Sequence, residues 1–209
     1  MRTSTVIKTI LAAAAVALPL ASQAESNYQT GAGSPLTATA HVDFQITIPK
    51  FLFLRVGTGT GTAAGGFATN ATIDQITWAP TAAQVGTGAL TGAGGDLGTG
   101  TETAVVVANN GNVTLSSTTL GALNDGAGDT ISYGTITTTA SHNTTTTTLA
   151  PPALADGATT TSTLTAVNKI VQQDAKWAYT YANATVPPAG TYGGVNTNNS
   201  RVTYTASVP

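Results

Sequence analysis

The chain has 209 residues, of which nine are acidic and seven basic, and only 8% are charged, against about a quarter in ordinary globular domains. Threonine is the commonest residue, at about a fifth of the chain where soluble domains average far less, and it is joined by 23 glycines, so hydroxyls rather than ions cover the surface. The charge balance offers no basic footprint for nucleic acid. The absence of cysteine excludes a disulfide framework and a lipidated cysteine.

Arg2 and Lys8, the apolar run from Ile10 to Leu20 and the small residues of Ser22-Gln23-Ala24 together predict a secretory signal peptide over 1–24, too short in its apolar part to span a bilayer. The mature chain is expected to start at Glu25. Removing two of the seven basic residues with the signal leaves five against nine acids, a net charge of −4. No later run is long and apolar enough for a membrane span. Residues 25–36 are rich in turn formers and lack an apolar period, and read as a flexible leader.

Thr37–Ile48 (TATAHVDFQITI) alternates strictly. Ala38, Ala40, Val42, Phe44, Ile46 and Ile48 fall on one side of an extended strand, with Thr37, Thr39, His41, Asp43, Gln45 and Thr47 on the other. Burying the apolar row would stabilise by on the order of 6 to 10 kcal/mol, so something must cover it. Either the strand pairs within its own chain, or it is donated to another copy.

Pro49 then breaks the run, and Lys50–Val56 (KFLFLRV) predicts a short strand buried on both faces. Gly57–Gly66 reads as a loop, Ala71–Trp78 as a strand and Ala79–Gly100 as a long glycine-rich connection. Thr103–Ala108 and Val113–Ser117 flank Asn109-Asn110-Gly111-Asn112, which predicts a hairpin. Thr130–Thr139 reads as a strand bulged at Gly134, and Thr144–Thr148 as an edge or exposed connection. Thr159–Val171 predicts a strand, with a helical turn as the alternative at its end. In Lys176–Ala182 the alternation puts Trp177, Tyr179 and Tyr181 on one face, and in Arg201–Val208 it puts Val202, Tyr204, Ala206 and Val208 on one face. Eight or nine short strands punctuated by Gly, Pro and Asn predict an all-β fold, an antiparallel β-sandwich, in one domain over 37–209.

The stretch PPAGTYGGV followed by RVTYTASVP, Pro187–Pro209, resembles the C-terminal pattern of bacterial fimbrial subunits and of spore coat U-like secreted domains. There a Pro-x-Gly-x-Tyr turn precedes an alternating last strand. The resemblance covers about the last tenth of the chain well, the N-terminal alternating segment loosely and the middle hardly at all. It implies an incomplete immunoglobulin-like sandwich completed by a strand from the next subunit. Thr37–Ile48 would be the donor through Val42, Phe44, Ile46 and Ile48, and Arg201–Val208 a wall of the acceptor groove through Val202, Tyr204, Ala206 and Val208. It also implies a homopolymer at the cell surface, a periplasmic assembly chaperone and an outer-membrane export factor. The sequence departs from many fimbrial subunits in lacking a disulfide and in the length of its leader.

Chemistry is sparse. No nucleophile elbow, metalloprotease helix or phosphate loop is present, so neither an enzyme nor a cofactor is expected. His41 and His142 lack companions for zinc. Asn124–Ile131 (NDGAGDTI) resembles a single turn of a calcium-binding repeat, but one copy lacks its completing neighbour, and a polar loop is the better reading. Asn70, Asn112, Asn143, Asn183 and Asn198 begin glycosylation sequons of the kind chance produces in such a composition. The threonines at 58, 60, 62, 137 and 139 do not recur at a fixed period and read as a solvated β surface. The expectation is a secreted structural subunit of a filament or surface matrix. The rival is a monomeric adhesive or carbohydrate-binding module using Trp78, Trp177 and nearby tyrosines.

Overall fold

A computed structural model describes residues 26–33 and 35–209. The signal segment 1–24, and Glu25 with it, lie outside the described residues. The chain divides into two units at the Ile48–Pro49 bond.

In the second unit the described residues form twelve strands. They are β1 Leu52–Val56, β2 Ile76–Thr77, β3 Leu90–Thr91, β4 Ala93–Gly94, β5 Thr101–Ala108, β6 Val113–Thr118, β7 Leu123–Asn124, β8 Thr130–Ile131, β9 Ile136–Ser141, β10 Thr159–Leu164, β11 Val171–Tyr181 and β12 Thr203–Ser207. The fold is all-β, and every ladder is antiparallel. No helix among the described residues is long and apolar enough to cross a membrane.

The larger sheet is built around β5 and β11. β5 (TETAVVVA) is buried along almost its whole length, which requires apolar side chains on both faces. It lies between β1 and β11. β11 in turn takes β5 and then β3 on one edge and β9 on the other. The second sheet has the order β10-β6-β12. One apolar core joins the two sheets, with Ala104, Val106 and Ala108 of β5, Val113 and Leu115 of β6, Leu164 of β10 and Val171, Ala175, Trp177 and Tyr179 of β11. Alternation therefore works as expected in β11. Trp177 is fully buried, and its indole N–H donates to the Leu149 carbonyl at 2.8 Å. On the outer face of β5, Val105 and Val107 are covered by Phe51, Phe53 and Ala63, and Phe67 stacks on Phe53 with centroids 4.7 Å apart.

Several local expectations are corrected. β5 and β6 do not pair, because both edges of β5 are already occupied by β1 and β11. The Asn-Gly segment instead carries the chain from one sheet to the other. Asn109 accepts from the Phe51 N–H and donates to the Pro49 carbonyl, and Asn112 accepts from the Ala166 N–H. Gly134 lies in a 3-10 turn, Tyr133–Thr135, whose Gly134 N–H is accepted by the Ser132 hydroxyl; it is not a bulge. The proposed strand or helical turn near Val171 is a tight turn. Asn168 and Lys169 take positive φ values of 52° and 67°, and Val167 and Ile170 exchange both backbone hydrogen bonds. Ala71–Trp78 contributes only the two residues of β2, while the connection 79–100 contains β3 and β4.

The threonine run 144–148 has a structural role that its composition hides. The Asp174 carboxylate, 1% exposed on the outer face of β11, accepts from the N–H and hydroxyl groups of Thr144 and Thr145 and from the Asn143 amide. Burial alone would raise its pKa, but these hydrogen bonds outweigh it and hold the group at about 2.

In the first unit, residues 35–48 are exposed and form neither strand nor helix, and no ladder includes them. Thr37–Ile48, expected as a strand, joins no ladder among the described residues.

Candidate functional site

Each unit has one uncovered feature, an apolar row in the first and a sheet edge in the second. In the row, Val42, Phe44, Ile46 and Ile48 are 74%, 90%, 86% and 75% exposed. Taken up as a strand, the segment would align these four on one side. A row of this kind in water is an interaction surface or an aggregation liability.

The edge is provided by β12. Among the described residues its ladder partner is β6, from Thr203 opposite Thr118 to Ser207 opposite Thr114, and none of their strands pairs with its outer backbone groups. Val202, Tyr204, Ala206 and Val208 all turn towards the core, yet each is only partly buried. β1, which among the described residues pairs with β5 alone, is the neighbouring open edge, and Leu54 and Val56 are likewise only partly buried against the same core. The Lys50 ammonium donates to the Pro209 carbonyl, and the Asn110 amide donates to the same oxygen at 2.8 Å. These bonds tie the end of the chain to the start of β1.

Tyr204 anchors this edge. Its ring packs on Trp177 with centroids 5.4 Å apart, and its hydroxyl bonds that of Tyr179 at 3.1 Å. Burial pushes the Tyr204 phenol up to about 12, so it stays a neutral hydrogen-bonding group. Open edges also occur at β9 and β10. β10 (TTTSTL) lines its face mostly with hydroxyls, whereas β12 and its flanks present Val, Tyr, Ala and Val.

The tryptophans named in the rival reading pack wholly or partly against the core. Trp177 is buried, and Trp78 is partly buried, donating to the Leu90 carbonyl at 3.1 Å and packing on Tyr181. The calcium-like loop is filled by its own backbone. The Asp125 carboxylate accepts from the N–H groups of Ala127, Gly128 and Asp129.

Sequence reasoning missed a second feature. Asp74, Asp96 and Glu102 each place a carboxylate oxygen within 4.8 Å of the others. The signal was available in β5, where Glu102 shares the parity of Ala104 and Val106 and so must face inwards. Asp74 and Asp96 come from separate loops, and no local spacing announces them.

Compared with family models, curated proteins and solved structures, the chain matches none. The functional reading therefore rests on the geometry and on the C-terminal resemblance.

Proposed function

We propose that the chain is a secreted structural subunit that assembles head to tail, Thr37–Ile48 of one copy adding as a strand to the β12 edge of the next. The observation that carries this reading is the exposed row Val42, Phe44, Ile46 and Ile48, which lies outside every ladder although its alternation is that of a half-buried strand. Strand addition supplies main-chain hydrogen bonds from the edge and pockets for alternate side chains. Burying four such side chains contributes on the order of 6 to 10 kcal/mol before the entropy of ordering the segment.

The contact is heterologous. Each copy keeps a free donor at one end and a free acceptor at the other, so the product is an open filament unless the rotation closes a ring. The resemblance of Pro187–Pro209 to fimbrial and spore coat U-like subunits points the same way. It suggests an immunoglobulin-like sandwich, export through the predicted signal, and a periplasmic chaperone that shields the edge before assembly. Low charge suits this role, since Lys and Glu that would blunt a sheet edge are scarce along β12.

Replacing Ile46 with aspartate in the full mature chain tests the reading. The variant is expected to remain a folded monomer with unchanged thermal unfolding while losing assembly by size exclusion. Loss of the monomer fold would instead place the segment within its own domain.

A further inference from the structure

Glu102 is an inward-facing carboxyl only 5% exposed, and among the described residues no donor from outside the acidic cluster reaches it; its neighbour there is another carboxyl, Asp74. Arg55, the nearest cation, is committed elsewhere. Its guanidinium donates to the Gly57 carbonyl at 2.7 Å, the Gly61 carbonyl at 3.1 Å and the Asp96 carboxylate at 2.9 Å. Asp96 also accepts from the Thr103 N–H at 2.7 Å, and Asp74 accepts from the N–H and hydroxyl of Thr58 at 2.5 and 2.8 Å. These bonds fix Asp74 and Asp96, and the Glu102 carboxyl is aimed at them with no protein donor between. Gly57 keeps the space open. Its φ is 83°, and a side chain there would run into the Glu102 and Asp74 carboxylates.

We propose that Asp74, Asp96 and Glu102 form a calcium site that clamps the loops carrying Asp74 and Asp96 onto β5. Oxygens bound to one calcium at about 2.3–2.6 Å lie no more than about 5 Å apart, and the three carboxylate oxygens meet that limit at 4.8 Å. The donor set is all oxygen and contains no His or Cys, which selects a hard cation over zinc. Three side chains from separate segments suit the irregular shell of calcium better than the near-octahedral shell of magnesium, and water completes it. Once the bound ion has displaced the proton that burial and the neighbouring carboxylates favour on Glu102, three carboxylates against one guanidinium leave two negative charges, matching a divalent ion. A buried carboxylate without a countercharge is costly, and the ion supplies that countercharge. This inference is independent of strand donation.

Isothermal titration of the chelator-treated full chain with calcium chloride, alongside thermal unfolding with and without the salt, tests it. One saturable site per chain and a calcium-dependent rise in Tm are expected, with magnesium at least tenfold weaker. Glu102→Gln and Asp74→Asn should each weaken calcium binding at least tenfold, and Glu102→Gln should not lower the Tm measured in chelator. The absence of saturable binding in the unsubstituted chain would overturn the proposal, leaving the gap to a proton shared between Glu102 and Asp74. An undiminished calcium response in Glu102→Gln would also overturn it.

Discussion

The two cleanest alternating segments of the chain, Thr37–Ile48 and Arg201–Val208, have opposite fates. The second is laid down as β12 beside β6, with Tyr204 packed on Trp177 and bonded to Tyr179. The first belongs to no ladder and exposes Val42, Phe44, Ile46 and Ile48. Their patterns are equivalent, and so are their local propensities. Alternation states that a segment can be half-buried, while burial itself requires a free sheet edge and a face to cover. β12 found one at β6. On our reading, Thr37–Ile48 finds its edge on another copy.

The widest separation between the two segments is expected from truncating their aromatic residues. Tyr204→Ala should destabilise the folded monomer by about 3 kcal/mol, read as a lowered midpoint in urea. Phe44→Ala should leave that midpoint within about 0.5 kcal/mol while weakening assembly. Equal losses in both would remove the contrast.

Acid offers a way to loosen the folded unit without changing the apolar row. Asp174 is held at about 2, below its ordinary value of 3.8. Its contribution is therefore fully present above the ordinary value and is lost as pH falls through the folded one. The loss should amount to about 2 to 3 kcal/mol between pH 5 and pH 1.5. Denaturant midpoints across that range, compared with Asp174→Asn, measure it; the variant should show the shallower slope.

A smaller effect is expected at the end of β11. Asn183, buried and at φ 44°, donates to the carbonyls of Gln84 and Gly88 and accepts from the Gly86 N–H. Asn183→Ala should cost about 1 to 2 kcal/mol and speed limited proteolysis between residues 84 and 88, with no change in assembly. The smallest effect on the monomer belongs to Ile48→Ala. Its unfolding should be unchanged, and its assembly should be weakened by about tenfold, the consequence of losing roughly 1.5 kcal/mol of buried side chain. Sedimentation at graded concentrations reads that loss.

Much of the architecture was legible where one face or both had to be apolar. β5 announced itself by Ala104–Ala108, β11 by Trp177, Tyr179 and Tyr181, and β12 by Val202, Tyr204, Ala206 and Val208. The errors fall where the partner decides. Asn109–Asn112 has hairpin chemistry, but hairpin pairing needs a vacant edge on β5, and none remained. Gly134 was compatible with a bulge or a turn, and the Ser132 hydroxyl selected the turn. Asp174 gave no signal, because its donors Asn143, Thr144 and Thr145 are about thirty residues away and their run reads as plain low-complexity sequence. The β12 edge was marked by its alternation, whereas the acidic cluster required the fold to bring three distant segments together.

Strand donation is tested most directly by negative-stain electron microscopy and size exclusion of the full mature chain beside a version beginning at Lys50. The account predicts filaments from the full chain and a folded, soluble monomer that does not assemble from the shortened one. A full chain that stays monomeric, together with a shortened chain that loses its β structure, would contradict it and assign Thr37–Ile48 to its own domain.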